Sequence, residues 1–219
     1  MVDLESCLAD VPLVAVLRGI TPSEAVAVVE TIIELGTRVI EVPLTSPDAF
    51  STLEMMIRAA PEDVLIGCGT VTTTGQIDRA AEAGAKLIVS PHSDKELIAC
   101  AKRYGLLSFP GFATSSEAFS MIKWGADALK LFPADVLGPK GLAALRVVLP
   151  PEALIAVFGG ITKHNLGEYW DAGANAFGVG GSIYRPGWTA HQVREAMIPL
   201  IGAMRELVLG SSVEKGYRR

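Results

Sequence analysis

The chain has 219 residues, of which 50% are hydrophobic and 20% are charged. This length fits one large domain, and the composition gives no sign of disorder. The net charge of −5 argues against a broad surface for nucleic acid or anionic membrane, so a small-molecule partner is expected.

Short apolar runs alternate with amphipathic segments along the chain, and each pair predicts one βα unit. The eight predicted strands cover residues 13–18, 39–44, 64–71, 87–92, 106–111, 128–133, 154–160 and 176–184. The helices that follow them cover residues 22–36, 47–60, 74–84, 93–105, 115–125, 139–149, 162–173 and 189–208. The strands are almost continuously apolar, which is typical of parallel strands covered on both faces. Eight βα units in this length predict an α/β protein folded as a single (β/α)8 TIM barrel.

Residues at the predicted helix ends support these boundaries. Thr21, Thr114 and the Ser93-Asp94 pair precede helices and can accept hydrogen bonds from the first N–H groups. Glycine ends five helices, at Gly36, Gly84, Gly105, Gly125 and Gly173. An open doubly wound sheet is disfavoured, because the first strand ends in Arg18 and not in a Gly-x-Gly-x-x-Gly turn.

One barrel domain is predicted over residues 1–208, followed by a polar, flexible tail at 209–219 where the apolar periodicity ends. Cys7, Cys68 and Cys100 are odd in number and widely spaced, so neither a disulfide framework nor a zinc knuckle is expected. The N-terminus carries acids where a secretory signal carries bases, and no apolar run reaches the ~18 residues that span a bilayer. A cytoplasmic protein without a membrane segment is therefore expected.

Lys130 is the most informative residue, because it lies inside the apolar run of the sixth predicted strand. Burying an ammonium costs several kcal/mol unless it is paired, so a buried lysine tends to lose its proton. A neutral lysine amine attacks ketones to form Schiff bases. On this strand alone, a lysine that reaches solvent or pairs with a carboxylate is the alternative. The remaining strand ends favour the catalytic interpretation.

Three further polar residues occur at strand ends, where barrel enzymes carry their chemistry. Glu41 lies among apolar residues, so burial should raise the pKa of its carboxyl group and suit it to acid–base catalysis. A structural salt bridge with Arg18 or Lys130 is compatible with that role. Arg18 can bind a substrate carboxylate or neutralise Glu41. Thr70 offers a hydroxyl to the same carboxylate, or it caps the next helix.

The last two predicted strands end in glycine pairs, where barrels often bind phosphate through backbone amides. These are Gly159-Gly160 and Gly180-Gly181, the latter followed by Ser182. Together they favour a phosphate site over simple tight turns. His92 has no partner histidine and is assigned no role. No cluster of metal ligands stands out, so neither a metal nor another cofactor is expected.

The ordered segments AVLRGITPSEA, VIEVPLTSP, GCGTV, LIVSP, GFATSSEA, ADALKLFPAD, AVFGGI and GVGGSIY carry a family resemblance. The sequence resembles the 2-keto-3-deoxy-6-phosphogluconate and -phosphogalactonate aldolases from roughly Leu13 to Val208, and ALKLFP is the most specific element. The resemblance implies a homotrimer whose Schiff-base lysine is Lys130 and whose acid/base is Glu41. It assigns the pyruvate-like end to Arg18 and Thr70. It assigns the phosphate to Gly159, Gly160, Gly180, Gly181 and Ser182.

One departure from the family pattern bears on the substrate, a phosphorylated keto-deoxy sugar acid. The phosphogluconate enzymes usually carry Thr-Leu-Arg after the catalytic glutamate, whereas Pro43-Leu44-Thr45-Ser46-Pro47 stands in this region and the arginine is missing. The resemblance therefore implies a phosphogalactonate aldolase, with the C4 epimer or dual specificity as the alternative. A phosphosugar isomerase or epimerase and a non-catalytic phosphosugar-binding barrel are the rivals from other classes, since the fold alone excludes neither.

Overall fold

The computed structural model describes residues 3–217, and the side chains within residues 3–210. In this part of the chain, nine parallel strands form one sheet. They are β1 (Leu13–Val16), β2 (Val39–Pro43), β3 (Leu65–Gly69), β4 (Leu87–Val89), β5 (Leu107–Phe109), β6 (Gly111–Phe112), β7 (Leu129–Leu131), β8 (Ile155–Phe158) and β9 (Ala176–Val179). Strand β1 pairs with β2 on one side and with β9 on the other, so the sheet curves back on itself.

The predicted fifth strand is divided by Pro110, which has no N–H to donate to a neighbouring strand. Its first half, β5, pairs with β4, and its second half, β6, pairs with β7. The carbonyl of Pro110 accepts a hydrogen bond from the Lys130 N–H at 2.9 Å, which links β7 to the division. The two halves together occupy the place of one barrel strand. The prediction of a single (β/α)8 TIM barrel is confirmed, with its fifth strand in two pieces.

Helices alternate with the strands and surround the sheet. Over residues 3–217 they are α1 (Leu4–Leu8), α2 (Pro22–Glu34), α3 (Ala49–Ala59), α4 (Thr74–Glu82), α5 (Lys95–Arg103), α6 (Ser115–Trp124), α7 (Ala134–Arg146), α8 (Leu166–Asp171) and α9 (Ala190–Tyr217). Helix α1 was not predicted, because five residues are too few to show a helical period. Helix α7 begins at Ala134, directly after β7, and is kinked at Gly138, whose φ is 68°.

The predicted helix caps at Asp94 and Thr114 are confirmed, and Thr21 precedes α2 as predicted, with its N–H donated to the Glu24 carboxylate at 3.0 Å. Asp94 Oδ1 accepts hydrogen bonds from the N–H groups of Glu96 and Leu97 at 2.7 and 3.1 Å at the start of α5. Thr114 Oγ1 accepts the Glu117 N–H at 3.3 Å, while the Glu117 carboxylate accepts the Thr114 N–H at 2.9 Å. The glycines predicted to end helices, Gly36, Gly84, Gly105, Gly125 and Gly173, all have positive φ.

Two apolar clusters form the core. The larger one lies between the sheet and the helices, and the smaller one fills the barrel interior. Val14, Leu65 and Leu87 belong to the interior cluster, and Leu4 and Leu8 of α1 pack against it. Since these strand residues lie early in their strands, α1 closes the amino-terminal end of the barrel. The carboxyl-terminal end stays open for a site.

The final helix α9 continues to Tyr217. The predicted boundary at residue 208 falls inside this helix, so no break in secondary structure marks it. The flexibility of residues 209–219 stays a prediction, and residues 218 and 219 lie outside the described part of the chain. Among the described helices, none combines the length and the apolar character required to cross a membrane.

Candidate active site

A cavity of about 690 Å³ opens at the carboxyl-terminal end of the barrel. It brings together all nine residues that the sequence assigns to the site. These are Arg18, Glu41, Thr70, Lys130, Gly159, Gly160, Gly180, Gly181 and Ser182. They come from six different barrel strands or the loops that follow them, so only the closed barrel places them side by side.

Lys130 is the middle residue of β7, and its side chain is 7% exposed. Its Nζ atom lies 4.5 Å from the ring centroid of Phe158 and 5.1 Å from that of Phe132. Burial lowers the pKa of Lys130; the nearby Glu41 carboxylate opposes this shift, and Arg18 adds to it. The net lowering gives the amine a larger neutral fraction than a surface lysine has, as nucleophilic attack requires.

Glu41 lies in β2 between Val16 of β1 and Gly67 of β3 in the strand register. Its side chain is 2% exposed, and its Oε2 atom has no hydrogen-bond partner among the described residues. Burial raises the pKa of the Glu41 carboxyl group, while the positive charges of Lys130 and Arg18 oppose the shift. A carboxyl group with this pKa direction and an unpartnered oxygen can exchange a proton with a molecule in the cavity.

Glycines in the barrel wall make the space for these side chains. A Cβ atom at Gly69 would lie 1.4 Å from Glu41 Oε2, so only glycine leaves room for the carboxylate in this position. A Cβ atom at Gly178 would lie 2.0 Å from Cδ1 of Phe158, the ring that contacts Lys130. Glycine at these two positions therefore leaves room for the Glu41 carboxylate and for the Phe158 ring beside Lys130.

Cys68 lies between Gly67 and Gly69 in β3, and its side chain faces away from the barrel interior. It belongs to the outer apolar cluster, where burial raises the pKa of its thiol to about 12, with a further contribution from the Glu41 charge. A thiol with that pKa is almost entirely protonated near neutral pH and is a poor nucleophile. Lys130 therefore has no competing cysteine nucleophile here.

Arg18 lies in the loop after β1 and is exposed on the cavity side. Its Nη1 atom donates a hydrogen bond to Thr45 Oγ1 at 3.2 Å. The next residue, Gly19, donates its N–H to the buried Ser46 Oγ at 2.8 Å. The loop after β2 thus holds Arg18 through Thr45 and Ser46, and the guanidinium keeps further donors for a ligand.

Thr70 follows β3 with a φ of 59°, a conformation that is a genuine outlier for a β-branched residue. Helix α4 is capped by Thr73, whose Oγ1 accepts the Gln76 N–H at 3.3 Å. The alternative that Thr70 serves as the helix cap is therefore wrong. Its strained backbone places the hydroxyl at the wall of the cavity.

The glycine pairs line the same cavity, after β8 and β9. Gly159 and Gly160 have φ values of 106° and 68°, which L-residues with side chains rarely adopt. Ser182 Oγ donates to the Ile161 carbonyl at 3.3 Å, so the turn after β9 is joined to the loop after β8. Backbone amides without covering side chains and one hydroxyl are suited to binding phosphate oxygens.

The cavity also has aromatic and polar side chains that were not identified from the sequence. They are Phe132, Phe158, Thr162 and Arg185. The two phenylalanines resemble ordinary strand residues in the sequence, and Arg185 follows a glycine-rich turn in a segment without periodicity. Arg185 could have been found only by asking which charges follow the last strand.

His92 lies outside the cavity wall, and its Nε2 atom is 3.8 Å from Asp94 Oδ2. Within the described part of the chain, no group of three His, Cys, Asp or Glu side chains is arranged to hold a metal ion. The absence of a metal stays a prediction.

The fold and cavity define a barrel with a buried lysine and a buried glutamate, and comparisons with known proteins give its class. A model of the family described as KDPG and KHG aldolase matches residues 4–196. A probable 2-dehydro-3-deoxy-6-phosphogalactonate aldolase of Rhizobium meliloti is 44% identical over 192 residues, which cover 88% of this chain and 91% of the relative. The 2-dehydro-3-deoxy-6-phosphogalactonate aldolase of Escherichia coli is 40% identical over 197 residues, which cover 90% and 96%.

Solved structures agree with these relatives. One described as native KDPGal has a TM-score of 0.88 at 39% identity, covering 91% of this chain and 97% of the other. An N-acetylmannosamine-6-phosphate 2-epimerase from Clostridium perfringens, at 14% identity and a TM-score of 0.68, shares the fold alone; the match covers 84% of this chain and 92% of the epimerase. The protein is thus a carbon–carbon lyase of the aldolase type. The chain belongs to the KDPG and KHG aldolase family.

Proposed function

We propose that this protein is a Schiff-base aldolase that cleaves 2-dehydro-3-deoxy-6-phosphogalactonate to pyruvate and D-glyceraldehyde 3-phosphate. The observation that carries the proposal is the pair of buried groups in one cavity, Lys130 with a lowered pKa and Glu41 with a raised pKa. Environments that move the pKa values of two groups in this way favour a nucleophilic amine beside an acid/base.

The reaction begins when the neutral amine of Lys130 attacks the C2 ketone to give a carbinolamine, which takes a proton from the Glu41 carboxyl group and loses water, so that an iminium forms. The Glu41 carboxylate accepts the proton of the C4 hydroxyl, directly or through water. The C3–C4 bond then breaks, and its electron pair moves into the iminium to give an enamine while the aldehyde leaves. Protonation of the enamine at C3 and hydrolysis of the iminium release pyruvate and restore the amine.

The cavity offers groups that suit both ends of this substrate. Arg18 and Thr70 lie where they can bind the carboxylate next to C2, since a guanidinium pairs with a carboxylate through two hydrogen bonds. Gly159, Gly160, Gly180, Gly181 and Ser182 would bind the phosphate at the other end. A purely acid–base isomerase on this barrel would have no need of a buried lysine.

The preference for the phosphogalactonate epimer rests on the relatives and on one loop. The two relatives at 40% and 44% identity are named for phosphogalactonate, whereas a relative from Treponema pallidum named for phosphogluconate is 31% identical over 77% of this chain and 80% of its own. In the loop after β2, Thr45 accepts a hydrogen bond from Arg18. The phosphogluconate enzymes usually carry an arginine in this region of the sequence. The ratio of kcat/KM for the two C4 epimers tests this preference.

The central test is borohydride reduction of the protein with pyruvate, followed by peptide mapping. We expect one stable pyruvyl adduct at Lys130, and Lys130→Met should form none and lose turnover while keeping the fold. Lys123→Met removes an exposed lysine of α6 and serves as the matched control, with normal labelling and turnover. A folded wild-type protein without an adduct, or Lys130→Met with wild-type turnover, would rule out the Schiff-base mechanism.

A homotrimer in the cytoplasm remains part of the proposal. Exposed apolar side chains support an assembly, since Val136 at the start of α7 and Phe132 at the cavity are 79% and 40% exposed. Sedimentation equilibrium tests the assembly, and we expect the mass of three chains. A purely monomeric protein would contradict it.

A further inference from the structure

One cation in this cavity, Arg185, has no role in the proposed reaction. Three basic side chains line the cavity, namely Lys130, Arg18 and Arg185. Lys130 is assigned to the ketone and Arg18 to the carboxylate. Arg185 lies just after the turn that contains Gly181 and Ser182, in the loop after β9.

The guanidinium of Arg185 has capacity for a ligand. Its Nε atom donates a long hydrogen bond of 3.4 Å to the Gly181 carbonyl, and its Cζ atom lies 5.5 Å from the Trp188 ring centroid. Within residues 3–210, no carboxylate forms an ion pair with it. Its terminal donors face no protein anion, and the indole restricts the orientation of the planar group.

The loop that carries Arg185 is held in place by contacts with α2 and with the loop after β1. The N–H of Gly187 donates to Glu24 Oε1 at 2.7 Å, and the other Glu24 oxygen accepts the Thr21 N–H at 3.0 Å. Pro186 packs against the loop after β1, because a Cβ atom at Gly19 would lie 2.7 Å from Pro186 Cγ. The start of α2 therefore fixes the loop that presents Arg185 at the cavity wall.

A phosphate bound at the glycine pairs would need a positive charge beside it. Asp135 lies against the glycine pair, since a Cβ atom at Gly160 would be 2.7 Å from Asp135 Cβ. The amides of the glycines and the Ser182 hydroxyl are neutral, so they would hold a phosphate dianion next to a carboxylate without any compensating charge. A guanidinium binds phosphate through two parallel hydrogen bonds and supplies that charge.

We propose that Arg185 binds the substrate phosphate and makes the enzyme select phosphorylated aldehydes over unphosphorylated ones. This inference rests on the proposed aldolase function. The phosphate is remote from the C3–C4 bond, so its contacts contribute to substrate binding about equally in the ground state and the transition state. Loss of Arg185 should therefore raise KM and leave kcat nearly unchanged.

The test uses the condensation direction, in which pyruvate reacts with either D-glyceraldehyde 3-phosphate or unphosphorylated D-glyceraldehyde. For Arg185→Gln, we expect KM for the phosphorylated aldehyde to rise about 10- to 100-fold, equivalent to ~1.4–2.8 kcal/mol. The kcat/KM for unphosphorylated glyceraldehyde should stay at the wild-type value. Arg185→Lys should recover part of the lost affinity, because it restores the charge without the planar fork.

Arg103→Gln is the matched control, because Arg103 is exposed at the end of α5 and outside the cavity wall. It should leave both aldehydes unaffected. An unchanged KM for the phosphorylated aldehyde in Arg185→Gln, or an equal loss with both aldehydes, would overturn the role of Arg185. Borohydride labelling of Lys130 by pyruvate separates this result from failure of the aldolase proposal, because labelling does not involve phosphate.

Discussion

The two ends of the barrel interior are built from the same strands and have opposite character. At the amino-terminal end, Val39 of β2 and residues of α1 belong to an apolar cluster. Two residues later on the same face of β2 comes Glu41, and on β7 the charged Lys130 faces the same interior at the open end. Since every second residue of a strand faces the interior, the lining changes from a packed apolar core to a reactive cavity between neighbouring inward residues.

This difference explains how the barrel tolerates buried ionisable groups such as Glu41 and Lys130. Each buried ion costs several kcal/mol even after relaxation, and Glu41 Oε2 has no hydrogen-bond partner among the described residues. The apolar cluster at the closed end, as far as the described residues form it, contains no charged side chain. The open end carries an unpartnered carboxylate, a lysine with a lowered pKa and a strained Thr70. Stability and chemistry are therefore separated along the barrel axis, and variants at the two ends should separate them in experiments.

The largest expected effect is at the open end, in Gly69→Ala. The new methyl group would occupy the position of the Glu41 carboxylate, 1.4 Å from Oε2, and the flexible side chain would have to move. We expect kcat to fall about 10²- to 10⁴-fold, the usual contribution of a positioned acid/base. The pyruvyl adduct at Lys130 should still form. Steady-state kinetics and borohydride labelling measure the two quantities.

Gly167→Ala is the control for that substitution, since a Cβ atom at Gly167 in α8 meets no other atom within 4 Å. It should retain the wild-type kcat. If Gly69→Ala kept the wild-type kcat while folding normally, the position of the Glu41 carboxylate would not matter for the reaction.

The intermediate effect is at the closed end, in Leu8→Ala. Leu8 ends α1 and is 6% exposed against the interior cluster. Truncation should lower the free energy of unfolding by about 2–3 kcal/mol through lost burial and a residual cavity. The kcat should not change, because Leu8 lies outside the cavity wall. Urea denaturation at one protein concentration measures the first and steady-state kinetics the second.

Leu209→Ala provides the comparison, because Leu209 is 67% exposed on α9 and should be nearly neutral. A Leu8→Ala protein of wild-type stability, or one whose kcat fell at full stability, would show that the two ends are not independent.

The fold was largely predictable because its signals are local and repeated. Eight apolar runs with intervening amphipathic segments specified the barrel, and glycines such as Gly36 and Gly125 marked the helix ends. The small exceptions have physical causes. The five-residue α1 is too short for periodicity, and Pro110 divides a strand that is continuous in hydrophobicity. Packing against the barrel interior stabilises α1, and no pattern in its own sequence shows that.

The site was predictable where a residue type contradicted its surroundings. Lys130 and Glu41 interrupt apolar strands, so their burial followed directly from the sequence. The contributions of Gly69 and Phe158 could not be predicted, because both depend on which atoms meet across neighbouring strands. Arg185 was missed for the same reason, since its position depends on a contact of its loop with Glu24, far away in the chain.

The smallest expected effect concerns the pH dependence of stability in Glu41→Gln. Burial raises the pKa of Glu41 in the folded state, so the folded protein holds this proton more tightly than the unfolded chain does. Ionisation of Glu41 therefore lowers the free energy of unfolding as the pH rises from the ordinary carboxyl value through the raised folded value. The wild-type protein should lose stability relative to Glu41→Gln over this range, although Lys130 and Arg18 reduce the loss.

Denaturation of both proteins at a series of pH values from about 4, near the ordinary carboxyl pKa, to about 8 measures the difference between them. Below the ordinary carboxyl pKa both proteins are neutral at this position, so the difference there reports only the exchange of a carboxylic acid for an amide. Growth of the difference with pH isolates the cost of the buried charge. A difference that stayed constant or shrank would mean that attraction to Lys130 and Arg18 outweighs burial. The open end would then hold an ion pair that stabilises the fold, and the separation of stability from chemistry along the barrel would fail.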